Sequence, residues 1–382
     1  MQRLLFLITI IASLITSYAQ KHEHRIAKHT YEVDSVLYKI YNYERIGVKA
    51  TNTPGFDSAT RYLFDKYTRL GYEPIIDTFK VLGGESYNII VEKPGSNKED
   101  KWIIVGAHYD SVLDGPGAND NGSGVVGTLE IAKLIKDVDT RTGIRIINFG
   151  AEEQGFLGST HYVKNVLDAA DDIELMLNLD QLGGTKGEDN SKIKCERDED
   201  TSPSTNNALS WLKTDTLANL MSVYTNLTPI ISNAYSSDYV PFEAHGHIIT
   251  GLYQASTDNN NHTSKDVTAN MDIEATTEVI KGALATTLYF ARINTPANVS
   301  GLMTDAYTIY PNPITKYLKI NIGVDSKYFV EIRDYLGNRV LSLEKLANEP
   351  IDVSNLANGL YTVSISIDSG AQKHHSKVII AR

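Results

Sequence analysis

Three short apolar runs each end in a residue type that can ligate a metal, and no other feature of this 382-residue chain constrains its fold as tightly. Residues 101–107 lead into His108-Tyr109-Asp110, residues 144–151 into Glu152-Glu153, and residues 173–179 into Asp180. Runs of this length, rich in β-branched and other apolar side chains, read as buried strands of a largely parallel sheet. In open α/β sheets ligands gather beyond the carboxyl ends of such strands. The three endings are therefore expected to converge on one site. Asp120, in the glycine-rich stretch 115–124, and His262, in the stretch 259–264, add to it. Two histidines and several carboxylates are the ligand set of a hydrolytic zinc centre.

The chain carries 36 basic and 47 acidic residues, a formal charge of −11, which argues against capture of nucleic acid or anionic lipid. No nucleic-acid partner is expected. Its one cysteine, Cys195, excludes an intrachain disulfide, so the fold must rest on its core. Residues 1–19 have the form of a secretory signal peptide: a short basic start at Arg3, an apolar stretch over 4–14, and small residues at Ser17 and Ala19 ahead of Gln20. The apolar stretch is too short for a spanning helix, which needs about 20 residues, so no membrane span is expected after cleavage.

Val33, Leu37, Ile40 and Tyr41 recur at helical spacing. A second helix is expected to start with Asp57 or Ser58 as N-cap and to stop at Gly71. A strand follows over 87–91, and the glycine-rich stretch opens into a helix over 123–137. The polar segment 180–206, with its charged run at 195–200, reads as a solvated loop without chemistry. A helix over 209–227, a last core strand over 247–253 and a closing helix over 272–292 complete an α/β unit. The expected architecture is a three-layer α/β/α sandwich around a mostly parallel mixed sheet. Composition shifts after 294–298, and short alternating segments separated by turn signals predict a small all-β sandwich. The resulting division is a signal peptide at 1–19, the α/β unit at 20–296 and the β-unit at 305–382.

Taken together, His108-x-Asp110, Asp120-Asn121-x-Ser123-Gly124, Glu152-Glu153-x-Gly155-x-Leu157-Gly158-Ser159, Asp180, Ser237-Asp238 and His262-Thr263-x-x-Asp266 resemble the M28 peptidases of the co-catalytic dizinc aminopeptidase type. The resemblance extends over about residues 45–292. It implies two Zn²⁺ per chain bridged by Asp120, with His108 and Asp180 completing one site and Glu153 and His262 the other. It makes Glu152 the general base and Asp110 the carboxylate that orients the ligating His108. Two Zn²⁺ (+4) and three carboxylates (−3) leave one positive charge, which a bridging hydroxide (−1) neutralises. The implied activity is a secreted metallo-exopeptidase hydrolysing N-terminal amino acids from peptides by attack of that hydroxide. Two alternatives share the fold, a single-zinc glutaminyl cyclase-like enzyme and a non-catalytic binding protein. Asp120-Asn121-Gly122-Ser123-Gly124 and Glu152-Glu153-Gln154-Gly155 favour the peptidase, as does a ligand set with no member missing. Two features stay open. Tyr235 stands one residue away from the place of an oxyanion-supporting tyrosine, and Ser236 and Ser237 occupy a stretch where part of the family has a disulfide. His161, His245, His247, His374 and His375 lack ligand company and read as structural or exposed.

The last 75 or so residues, with Tyr310-Pro311-Asn312-Pro313, Tyr335-Leu336-Gly337-Asn338-Arg339 and Gly359-Leu360-Tyr361 in order, resemble the type A C-terminal sorting domain of the type IX secretion system. That resemblance implies a Bacteroidetes-type bacterium, recognition by the type IX machinery, export through the periplasm, and a secreted or cell-surface product. A carbohydrate-binding or adhesive β-module is the alternative reading.

Overall fold

Eight segments form one mixed sheet, the central ones placing side chains in apolar layers on both faces: β1 (Ile75–Val81), β2 (Gly84–Lys93), β3 (Lys101–His108), β4 (Gly143–Phe149), β5 (Asp172–Leu179), β6 (Lys192–Arg197), β7 (Thr228–Asn233) and β8 (Ile249–Gln254). Their order is β1-β2-β4-β3-β5-β8-β6-β7. The central strands β4, β3, β5 and β8 pair in parallel, while β1–β2, β2–β4 and β6–β8 are antiparallel. In β3, Ile103, Val105 and Ala107 enter one core and Ile104 the other, so the strand is buried on both faces. This is why its sequence runs apolar without alternation.

The computed structural model describes residues 33–96, 101–167, 171–199, 203–234, 236–293, 308–310, 314–321, 327–334, 338–346, 349–367 and 372–380. Residues 1–32, with the expected signal peptide at 1–19, residues 294–307 and Tyr235 lie outside the described residues. Two units separate by their internal contacts, Met1–Ala297 and Asn298–Arg382.

In the first unit α1 (Val33–Glu44), α2 (Pro54–Leu70), α3 (Gly122–Ile135), α5 (Asn207–Tyr224) and α7 (Ile273–Phe290) build the larger core on one face of the sheet. The short α4 (Leu157–His161), the π-helical turn Tyr162–Val166 and α6 (Tyr239–Ala244) cover the other. The result is a three-layer α/β/α sandwich. Helix α2 begins ahead of the expected cap: Thr53 accepts the amide of Phe56 at 3.3 Å, Pro54 follows it, and Asp57 lies inside the first turn. The Thr-Pro pair supplies both a cap and a pre-set φ, which outranks Asp57. Gly71 ends the helix as expected, with φ 81°.

One expectation is corrected outright. The charged run at 195–200 is not a solvated loop, because residues up to Arg197 form β6, with Cys195 and Glu196 buried. Pairing with β8 and β7 satisfies its backbone, Ile193 and Cys195 enter the larger core, and Glu196 accepts the Tyr239 hydroxyl at 2.8 Å. The outer strands β1 and β7 leave much of their surface exposed and carry no continuous apolar run to announce them.

The second unit is all-β. Strands β9 (Thr308–Tyr310), β10 (Tyr317–Asn321) and β13 (Ile351–Asp352) form one antiparallel sheet. Strands β11 (Lys327–Arg333), β12 (Arg339–Leu346), β14 (Gly359–Ile367) and β15 (Gln372–Ile380) form a second. Leu318 and Ile320 from one and Val330, Ile332, Val363 and Ile365 from the other share a single core. No helix among the described residues is long and apolar enough to cross a membrane.

Candidate metal centre

Because β3, β4 and β5 run parallel, their carboxyl ends lie along one edge of the sheet and deliver His108, Glu152-Glu153 and Asp180 to one place. The loop from β3 into α3 brings Asp120 over that edge. Its glycines allow the approach: a Cβ on Gly124 would lie 2.4 Å from the carbonyl of Leu179, next to Asp180. Gly117, with φ 62°, turns the chain where a Cβ would meet the Asp120 carbonyl. His262 arrives on the loop after β8 with φ 57°, and Ala151 and Gln181, beside Glu152 and Asp180, also take left-handed conformations at 57° and 50°. Non-glycine residues rarely hold such angles, and they cluster here where side chains must be aimed.

Asp120 occupies the centre. Its Oδ1 is 3.2 Å from His108 Nε2, which is also 3.4 Å from Asp180 Oδ1. Its Oδ2 is 3.1 Å from His262 Nε2, which is 3.2 Å from Glu153 Oε2. His108–Asp120–Asp180 and Asp120–Glu153–His262 thus form two groups with mutually close ligand atoms, sharing one carboxylate. A third grouping, His108–Glu152–Glu153, brings Glu152 to the same site. The buried oxygens Asp180 Oδ1 and Glu153 Oε1 have no hydrogen-bond partner among the described residues. Nitrogen and carboxylate donors with unsatisfied buried oxygens fit zinc at both groups. His108, Asp120 and Asp180 are nearly inaccessible, whereas the His262 side chain is 55% exposed and marks the solvent side.

The supporting contacts are specific. Asp110 lies 3.7 Å from His108 Nδ1, beyond hydrogen-bond range. Its carboxylate instead accepts the backbone amides of Glu152 at 3.1 Å and Glu153 at 3.3 Å, so it fixes the acidic loop. Asp266 accepts the amides of Asn119 at 2.7 Å and Asp120 at 3.0 Å. Ser237 donates to Asp180 Oδ2 at 2.6 Å and is itself held by Asn178 at 2.8 Å. Gln181 donates to Asp120 Oδ2 at 3.2 Å. Asp266 and Ser237 stood in the sequence pattern without a role, and Gln181 carried no signal beyond its place after Asp180.

Among the side chains alone, the carboxyls divide sharply. Burial pushes Glu152 up to about 10, with Asp238, Asp180 and Asp110 adding to it against His108. Burial and Asp120 push Glu153 up to about 8. Burial also disfavours the Asp120 carboxylate, but the hydrogen bonds of His108 and His262 hold it down at about 2. The hydrogen bond to Asp120 raises His262 to about 9.

The structure gathers all seven residues expected at the site, His108, Asp110, Asp120, Glu152, Glu153, Asp180 and His262. It leaves others out: His161 pairs with Asp77 at 3.1 Å, and His245 bonds the Pro241 carbonyl at 2.7 Å.

A three-layer α/β/α fold with two ligand groups at the sheet edge sharing a carboxylate defines a class of metal-dependent hydrolase. Residues 88–287 match peptidase family M28, and the chain belongs to that family. Residues 308–381 match the secretion system C-terminal sorting domain. Over 100 residues, 26% of this chain, it is 48% identical to aminopeptidase YwaD of Bacillus subtilis, and the match spans 22% of that relative. An aminopeptidase from Aneurinibacillus sp. superposes with a TM-score of 0.60 at 19% identity, covering 71% of this chain and 96% of its own. Glutaminyl cyclase of Bacteroides thetaiotaomicron superposes with 0.57 at 19% identity, covering 67% and 97%. These two likenesses establish the fold and do not choose between the activities.

Proposed function

We propose that the chain is an exported zinc aminopeptidase that removes N-terminal residues from peptides. The observation that carries the reading is Asp120, whose two oxygens face two separate ligand groups. His108, Asp120 and Asp180 would hold one zinc and Asp120, Glu153 and His262 the second. When bound, such ions polarise a carbonyl and acidify water. Glu152, a ligand of neither group in this reading, takes a proton from the attacking water and passes it to the leaving amine. Burial raises the proton affinity of its carboxylate, and cations held at the neighbouring ligand groups would oppose that shift and keep it ionised, ready to accept a proton. Asp110 keeps Glu152 and Glu153 at their places through their amides, and Asp266 does the same for Asp120.

The cavity of about 350 Å³ above these residues is lined by Asp120, Glu152, Glu153 and Asp180 and contains no Lys or Arg among its described lining residues. It therefore offers no side-chain cation to receive a peptide's C-terminal carboxylate. The β-unit directs the chain through the type IX secretion machinery to the cell surface or the medium.

The test is zinc stoichiometry of the purified full chain together with release of the first residue from unblocked peptides. About two zinc per chain and loss of cleavage on N-acetylation are expected. A single zinc with pyroglutamate formation from N-terminal glutamine would replace this reading with the cyclase one.

A further inference from the structure

We propose that the cavity selects an N-terminal side chain that is uncharged and forms hydrogen bonds, that of Ser, Thr, Asn or Gln, and that Gln181, Ser236 and Asn261 make the selection. The inference rests on the aminopeptidase reading. Apart from the five candidate ligands and Glu152, the described lining consists of Gly155, Phe156, Gln181, Ser236, Tyr253 and Asn261. Phe156 alone among these six presents a large surface without a polar atom.

The polar groups have unused capacity. The Gln181 amide is oriented by two bonds, Nε2 donating to Asp120 and Oε1 accepting the Tyr253 hydroxyl at 2.8 Å. An amide has two N–H groups and two oxygen lone pairs, so one of each remains for a ligand. The Tyr253 ring is held in turn beneath the Lys194 ammonium, 4.9 Å from its centroid on the neighbouring strand. The Ser236 hydroxyl and the Asn261 side-chain amide have no hydrogen-bond partner among the described residues, and both residues line the cavity. Gln181 is buried, Asn261 half-buried and Ser236 exposed, so the three extend from floor to rim.

A leucine side chain seated there would strip water from three polar groups and return no hydrogen bond, whereas a hydroxyl or amide replaces the water it displaces. A charged side chain would meet no opposite charge among the six lining residues that are neither candidate ligands nor Glu152. In the aminopeptidase reading the first residue is the one seated against the two ligand groups that line this cavity, so the choice falls on it.

The experiment measures kcat/KM of the zinc-loaded full chain on X-Ala-Ala peptides with X as Ser, Thr, Asn, Gln, Leu, Glu or Lys. The best of the four neutral polar residues should exceed Leu by at least about tenfold. Gln181→Leu and, separately, Asn261→Leu should move that ratio toward Leu; a ratio is read so that a general loss of turnover cancels. Fastest release of Leu, Glu or Lys by the unaltered chain overturns the selection while leaving the aminopeptidase reading intact. Release of no residue from any peptide removes both.

Discussion

The two units of this chain bury apolar side chains by different arrangements, and only one of them gathers chemistry. In Met1–Ala297 the central strands run parallel, so the loops after β3, β4 and β5 leave the sheet at one edge and meet. In Asn298–Arg382 every strand pairing within the sheets is antiparallel, so successive turns alternate between opposite edges. Among the described residues, the three groups able to hold a metal all lie in the first unit. Parallel order concentrates loop residues; antiparallel order disperses them and leaves a surface for recognition.

The comparison breaks most decisively at Asp120. Asp120→Asn should release metal from both groups, since one residue serves each, and the loss of turnover should exceed the roughly 10²–10⁴-fold typical of a missing general base. Elemental analysis decides: two zinc retained at full occupancy would contradict the shared-carboxylate reading. Glu152→Gln comes next, with about 10²–10⁴-fold lower kcat and unchanged zinc content. Near-normal kcat in the zinc-loaded variant would remove Glu152 from proton transfer.

A third test sharpens the contrast at the buried acid of β6, which belongs to none of the candidate metal groups. Burial pushes Glu196 up to about 7 from an ordinary 4.5, against the lowering effect of its hydrogen bond from Tyr239. An acid with a raised folded-state pKa keeps its proton longer in the native than in the unfolded chain, so stability is highest below pH 4.5 and declines as pH rises to about 7. Glu196→Gln should remove this slope and stabilise the first unit at pH 8 by on the order of 1–3 kcal/mol. Urea midpoints at pH 5 and pH 8 that shift equally in both proteins would show that Glu196 does not titrate in this window.

The smallest effect is expected from losing the second unit. A chain ending at residue 296 should keep kcat/KM within about twofold, because all candidate ligands lie in the first unit. In a host with type IX machinery the same truncation should stay in the periplasm. An inactive truncation that still reached the medium would reverse the roles assigned to the two units.

The strand ends that hold His108, Glu153 and Asp180 were legible because a strand buried on both faces must be apolar throughout, and the polar residue that ends the run is then conspicuous. The antiparallel tail was legible through its turn signals and alternation. By contrast, β6 was hidden by its charges: Lys192, Lys194 and Arg197 disguise a strand whose Ile193 and Cys195 reach the core.

What the sequence by itself determined is the set of candidate ligands and the sheet that collects them, because strand burial and ligand chemistry are both written in local residue types. Only the tertiary structure decided how those residues support one another. Asp110 serves the amides of Glu152 and Glu153 while standing 3.7 Å from His108, Asp266 reaches back 146 residues to Asp120, and Gln181 joins Asp120 to Tyr253. These bonds depend on distances between loops far apart in the chain, and a hydrogen bond decided by a fraction of an ångström leaves no periodic trace in the sequence.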